Sequence, residues 1–206
     1  APRPRAATAI AQGSGAVVDT RQFGLEKEPL VQEGVSSGAD LVAFSGDKLF
    51  GGPQAGIIVG KKVLIGRIKN SPLYRALRVD KFTISGLEET TLLYLKDQAL
   101  QKIPIWRMIA QPAERLKLRA EQIVSQINPK SSKLSVEKTT SYLGGGSLPG
   151  QGLPGYAIGI ETVISLEDLA RRFRLSKPPV IGRISQERFL MDLRTVFPEQ
   201  DSTLTS

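Results

Sequence analysis

The chain has 206 residues, 40% of them hydrophobic, which is enough for one domain or one and a half around a real core. Cysteine and histidine are both absent, which excludes disulfides, thiolate metal sites, cysteine nucleophiles and Ser–His catalysis within the chain, and argues against zinc. The formal charge of +8 suits a polyanionic partner and suits a basic solvated surface equally well, and nothing in the chain resembles an RNA-recognition motif, a KH loop or a zinc knuckle. No apolar run is long enough to predict a membrane span, and Ala1 to Ala6 lacks the apolar core of a signal peptide.

In chain order, Ala1 to Ala9 shows no useful period and reads as frayed, and Gly13-Ser14-Gly15 reads as a turn. Glu28-Pro29 opens a short helix toward Ser37. Leu41 to Phe44 and Gly56 to Val59 are short apolar runs of strand type, and Lys61 to Ile68 starts another helix. Leu92, Leu95, Ala99 and Leu100 keep helical spacing in one element from Leu87 to Lys102, which Pro104 ends. Ile105 to Ile109 then crosses to a second unit. Pro112 suits a first helical turn, and Leu116, Ala120, Ile123 and Ile127 form one apolar face before Pro129. Leu134 to Thr139 and Tyr156 to Ile160 read as strands around a glycine-rich loop. Ser165-Leu166-Glu167-Asp168 resembles a capping box opening a helix to about Phe173. Val180 to Ile184 and Phe189 to Leu193 form a hairpin through Ser185-Gln186-Glu187. Alternating strands and helices predict α/β for residues 1–105 and a smaller α+β unit for residues 106–206.

The most informative stretch lies between the first two strands. Leu41 to Phe44 breaks at Ser45-Gly46, an acid–lysine pair follows (Asp47, Lys48), and then Gly51-Gly52-Pro53. Glycines near a strand end let a ligand approach the backbone closely. Burial in general lowers an ammonium pKa, and a neutral lysine amine forms Schiff bases with carbonyl compounds, as in the pyridoxal-phosphate enzymes. A P-loop is rejected, because there the lysine follows the last glycine and here Lys48 precedes Gly51. From residue types alone, a turn whose lysine faces water remains open.

Ser45 to Gly60, followed by Pro72-Leu73-Tyr74-Arg75-Ala76-Leu77-Arg78-Val79-Asp80-Lys81, closely resembles bacterial selenocysteine synthase, the L-seryl-tRNA(Sec) selenium transferase family. The similarity continues in order through Gly144 to Gly150, Leu153 to Tyr156, Pro178 to Ile181 and Asp192 to Val196, and so covers about Gly13 to about Gln200. It implies a fold-type-I pyridoxal-phosphate transferase, aminotransferase-like: a C-terminal remnant of the large domain plus a small α+β C-terminal domain. Lys48 becomes the Schiff-base lysine for pyridoxal 5′-phosphate, with Asp47 tuning it or a proton transfer. The alternative for Asp47 is hydrogen bonding within its own turn. Arg75 and Arg78, three apart on a helical turn, are expected to offer two guanidinium forks to selenophosphate; the alternative is a surface pair matched to acids.

The implied reaction converts seryl-tRNA(Sec) to selenocysteinyl-tRNA(Sec) through an aminoacrylyl intermediate. The enzyme would be a cytoplasmic homo-oligomer needing no metal and no membrane. Two other readings stay open: a fold-type-I lyase or transferase acting on a small free amino acid, and a catalytically inactive basic fragment that binds RNA or partner subunits. Family members are roughly twice as long, and the chain opens on Ala1, which suits a C-terminal portion.

Four further expectations attach to single residues. Ala11 stands where the family usually has an Asp suited to the pyridinium nitrogen, and Asp19 is the nearest acid downstream. Gly144 to Gly146 offers backbone N–H groups to an anion or is merely a connection. Arg183 and Arg194 are expected on strands, where related enzymes hold a substrate carboxylate, a role that esterification to tRNA removes. Trp106 and Tyr94 are expected to pack where the two units join.

Overall fold

A computed structural model describes residues 6–129, 132–144 and 146–205. The chain parts into two compact bodies, residues 1–107 with 143–151 and residues 108–142 with 152–206. The glycine-rich loop, between two strands of the second body in sequence, therefore belongs to the first.

The first body is built on a three-stranded sheet. β1 (Ala9–Gln12) is followed by α1 (Val31–Ser36), β2 (Leu41–Ser45) and β3 (Gly56–Gly60), in sheet order β1-β2-β3. β1 runs parallel to β2, pairing Ala9 with Leu41 and Gln12 with Phe44, whereas β3 runs antiparallel to it. Ala9, expected at the end of a frayed stretch, opens an ordered strand, and Ala1 to Arg5 of that stretch lie outside the described residues; four residues of Ala, Ile and Gln are too short to show a period. Alternation along β2 buries Val42 and Phe44, which pack with Val31 and Phe50 and against Ile10, Val59, Leu87 and Tyr94. Gly34 lets α1 lie close on β2, since a Cβ there would meet Val42 Cγ2 at 3.1 Å. At the far end of the sheet, buried Asp40 accepts from the Thr8 N–H at 2.7 Å and pairs with Lys61, tying all three strands.

Beyond β3 come α2 (Lys62–Lys69), α3 (Pro72–Leu77), α4 (Lys81–Leu95), α5 (Ala99–Lys102) and α6 (Pro104–Ile109). The expected single helix from Leu87 to Lys102 is two. Asp80 caps α4 by accepting from the Thr83 N–H at 3.0 Å, so that helix starts at Lys81. It ends because Asp97 adopts φ 54°, a left-handed conformation that an α-helix cannot continue. Pro104, expected as a stop, is instead the first residue of α6, where its missing N–H costs nothing.

The second body packs α7 (Ala113–Gln126) and α8 (Leu166–Leu175) with a four-stranded antiparallel sheet, β4 (Ser132–Tyr142), β5 (Gly152–Thr162), β6 (Arg183–Ser185) and β7 (Arg188–Asp192), in order β4-β5-β7-β6. Leu116, Ala120 and Ile123 of α7 meet Ile158, Ile160, Phe189, Met191 and Leu193 in its core, and Phe173 stacks on Phe189 at 5.0 Å. Ser165 caps α8 by accepting from the Asp168 N–H at 3.1 Å. The hairpin turns through two residues, Gln186 and Glu187, both at positive φ, as a twisted two-residue turn requires. A short terminal helix, α9 (Asp201–Thr205), is held to α7 by the buried Arg119, which donates to Asp201 and to the carbonyls of Leu193 and Val196. Among the described residues no helix is long and apolar enough to cross a membrane.

Candidate functional site

The loop from Gly46 to Ala55 connects antiparallel neighbours, and three backbone hydrogen bonds brace it, two within the loop and one to Ser14. The Gly46 N–H donates to Ala55 O and the Gly52 N–H to Gly46 O, both at 2.8 Å, while the Leu49 N–H donates to Ser14 O at 2.9 Å. Gly15 must be glycine for that last contact. Its φ is 67°, and a Cβ would come within 2.4 Å of Ser45 O.

A side-chain strut completes the bracing. Trp106 Nε1 donates to the Tyr94 hydroxyl at 2.7 Å, which donates in turn to Phe50 O at 2.8 Å. Trp106 is fully buried, and both aromatics lie inside the first body, where they hold up the Lys48 loop. Burial pushes the Tyr94 hydroxyl up to about 12, the Trp106 hydrogen bond pulling the other way. An unfolded tyrosine titrates near 10. The resulting stabilisation is complete below pH 10 and is lost as pH rises toward 12. Urea unfolding midpoints between pH 9 and 12 should therefore fall more steeply for the wild type than for Tyr94→Phe.

Lys48 is half-buried, and among the described residues its amine has no hydrogen-bond or ion-pair partner. It faces a cavity of about 390 Å³ lined by Asp47, Leu49, Gly51, Gly52, Pro104, Ile105, Leu143, Gly144 and Ser147. Asp47 is exposed and accepts from the Ser45 hydroxyl at 2.8 Å. That is the bond within its own turn that the sequence left open, and it leaves the Lys48 amine unpaired.

The arginines are disposed differently from the expected helical pair. Arg75 lies in the last turn of α3, but Arg78 is past its end with ψ 140°, so the two are not successive positions on one helical face. Pro72 starts that helix and it lasts only six residues. Both arginines are exposed, neither has a partner among the described residues, and neither lines the Lys48 cavity. Arg194, expected on a strand, lies in a 3-10 turn (Leu193–Thr195) and is 3% exposed, donating to the carbonyls of Met108 and Gln111 at 2.8 Å and of Pro154 at 2.7 Å. Its Nη1 and Nη2 are taken by backbone carbonyls while Nε is buried without a partner among the described residues, an arrangement that suits a structural role. Arg183 lies on β6 and donates to Thr139 and Asp192.

Ala11 is exposed on β1, paired with Ala43. Asp19 is committed elsewhere: it caps a 3-10 turn and pairs with Arg21, whose guanidinium holds the carboxyl down to about 2. Gly145 of the glycine loop lies outside the described residues. Ser147, which sequence reasoning passed over, is 2% exposed, lines the cavity, and has a buried hydroxyl without a partner among the described residues. Only its position after three glycines marks it in the sequence.

The sequence pattern of the SelA family, L-seryl-tRNA selenium transferase, matches residues 6–197. The chain belongs to this family. It is 44% identical to the L-seryl-tRNA(Sec) selenium transferase of Carboxydothermus hydrogenoformans over 91% of this chain and 41% of that protein. Against the Alkaliphilus oremlandii protein of the same name the identity is 50%, over 91% of this chain and 41% of the relative. Against the Serratia proteamaculans protein it is 44%, over 96% and 44%. The chain thus spans about two-fifths of the length of the curated relatives it matches. D-glucosaminate-6-phosphate ammonia-lyase has a similar fold, with a TM-score of 0.54 at 20% identity, over 97% of this chain and 47% of that one. The fold is that of the fold-type-I class, with a remnant of the large domain and a small α+β domain, as the sequence led us to expect.

Proposed function

We propose that this chain carries the lysine-bearing part of a selenium transferase that converts seryl-tRNA(Sec) to selenocysteinyl-tRNA(Sec) with selenophosphate, with pyridoxal phosphate held at Lys48, in the cytoplasm. The observation that carries it is the unpaired Lys48 amine at the wall of a cavity, on a loop braced by three backbone hydrogen bonds, in a chain of this family. The residues fit an aldehyde cofactor on the lysine side. The amine is free and the cavity is roomy. When bound, pyridoxal phosphate supplies an electron sink for the α-carbon of the serine.

The chain's own residues do the rest. Lys48 holds the cofactor and, once the serine amine replaces it, takes or returns the proton at the α-carbon. Asp47 keeps the strand-to-loop turn in place through Ser45. Arg75 and Arg78 are free guanidinium groups for selenophosphate or for tRNA phosphates, acting from outside the Lys48 cavity. Leu73, Leu77 and Phe82, flanking the two arginines in sequence, are 68%, 79% and 91% exposed. Apolar exposure of this extent supports assembly with further copies, and a homo-oligomer brings additional groups to each site.

Pyridoxal phosphate added to the protein, followed by borohydride reduction and peptide mapping, is expected to give one reduced adduct, at Lys48. Seryl-tRNA(Sec) added before reduction should displace it, and free serine should not. Adducts scattered over surface lysines would overturn the cofactor assignment. Displacement by free serine as readily as by seryl-tRNA would favour a lyase or transferase of small amino acids.

A further inference from the structure

From Gly146 to Gly150 the backbone alternates in hand. Gly146, Leu148 and Gly150 have φ of 76°, 50° and 76°, and Ser147 and Pro149 between them do not share the positive sign. A leucine at φ 50° is uncommon and persists only where its surroundings over-determine it; Leu148 is 4% exposed. Alternation of this kind turns neighbouring N–H groups toward one concavity, which suits a single oxygen or a small anion; Pro149 has no N–H, so the donors here are those of Gly146, Ser147 and Leu148. The turn lies against the reacting amine: a Cβ on Gly146 would be 3.6 Å from Lys48 Nζ. Ser147, in the middle of it, is 98% buried by its 2% exposure, lines the Lys48 cavity, and has a hydroxyl that finds no partner among the described residues. Buried hydroxyls are nearly always paired, so one left free at a cavity wall points to a ligand.

The rest of the lining narrows what that ligand is. Among the described residues the cavity wall holds no arginine, and Asp47 is engaged by Ser45. A free carboxylate is met by a guanidinium fork, whereas an uncharged carbonyl oxygen is met by neutral donors. We propose that Ser147 Oγ, with the backbone of the Gly146–Gly150 turn, binds the ester carbonyl oxygen of the aminoacyl group that reacts beside Lys48. The proposal rests on the reading of Lys48 as the reacting amine, and it makes the turn the element that prefers an acyl ester to a free amino acid. The ester oxygen takes the hydroxyl proton of Ser147 as a hydrogen bond. A free carboxylate would bring to the same place a charge that no arginine there answers.

The test needs no cofactor. The protein is offered methyl glyoxylate, glyoxylate or propionaldehyde with cyanoborohydride, and label at Lys48 is quantified by peptide mapping. In each case the lysine nitrogen bonds to the aldehyde carbon, the aldehyde oxygen leaves as water, and hydride from cyanoborohydride reduces the C=N bond. Referred to Nα-acetyl-lysine under the same conditions, wild-type Lys48 should prefer the ester to the acid by about tenfold, the scale of one well-placed hydrogen bond at a dry site. Ser147→Ala should bring the ratio close to that of the free lysine, label with propionaldehyde as the wild type does, and melt no lower, because it removes an unpaired buried group. An unchanged ester-to-acid ratio in Ser147→Ala would overturn the proposal. So would an equal loss of label from all three aldehydes with a lower melting temperature, since that marks a structural role. Failure of the Lys48 reading looks different: pyridoxal phosphate then leaves Lys48 unlabelled while the ester preference and its dependence on Ser147 persist.

Discussion

Lys48→Ala is expected to abolish the borohydride-stable pyridoxal adduct, with label at the Ser45-to-Lys61 segment falling by ~100-fold or more, because the amine is itself the covalent partner. The same substitution should leave the fold intact. Lys48 is half-buried and bonds to nothing among the described residues, and its loop is held by other groups: Leu49 to Ser14, Gly46 to Ala55, Gly52 to Gly46, and Tyr94 to Phe50. A truncation of this kind changes stability by about 0.5 kcal/mol or less. Equal melting with the adduct lost identifies Lys48 as the carrier. An adduct that survives on another lysine of the wild-type pattern would remove Lys48 from that role. Asp47→Asn offers the contrast, since it keeps the hydrogen bond from Ser45 and should retain the adduct.

Arg194→Ala is expected to be the most damaging single change in the second body. Three carbonyls, of Met108, Gln111 and Pro154, lose a charged donor at 2.7–2.8 Å at a site where Arg194 itself is 3% exposed. Charged hydrogen bonds and orphaned buried carbonyls of this number cost about 3–5 kcal/mol together, or a fall of about 15–30 °C in the melting of a body of this size. Arg194→Lys should recover only part of it, because one ammonium cannot copy a fork that reaches carbonyls in two directions. Calorimetry or urea unfolding followed by far-UV circular dichroism reads both variants. A loss as small as that of a surface arginine would refute the structural assignment.

The contrast between Lys48 and Arg194 shows what local pattern carries. Lys48 was legible because its neighbours were: an apolar strand, a glycine break and a second apolar strand fix a loop wherever the sheet goes. The strands β2 and β3, the helices α7 and α8 and the hairpin β6–β7 follow from the same near-neighbour rules of period, cap and turn. The sequence places Arg194 on a strand, because nothing within ten residues of it announces that carbonyls at 108, 111 and 154 converge on its side chain. Arg78 failed in a smaller way. Spacing of three implies one helical face only while the helix lasts, and α3 ends at Leu77.

The sequence by itself determined the family, the candidate lysine and the order of most elements, because these rest on contiguous residues whose chemistry and period are read directly. Tertiary structure alone decided that Ala9–Gln12 is a strand, since a parallel neighbour thirty-two residues away supplies its hydrogen bonds. It also decided that the loop around Ser147 belongs with Lys48 and not with the strands that flank it in sequence, and that the Ser147 hydroxyl is buried there unpaired. Burial and pairing are properties of what folds around a residue, and Ser147 shares a cavity wall with a lysine ninety-nine positions earlier in the chain.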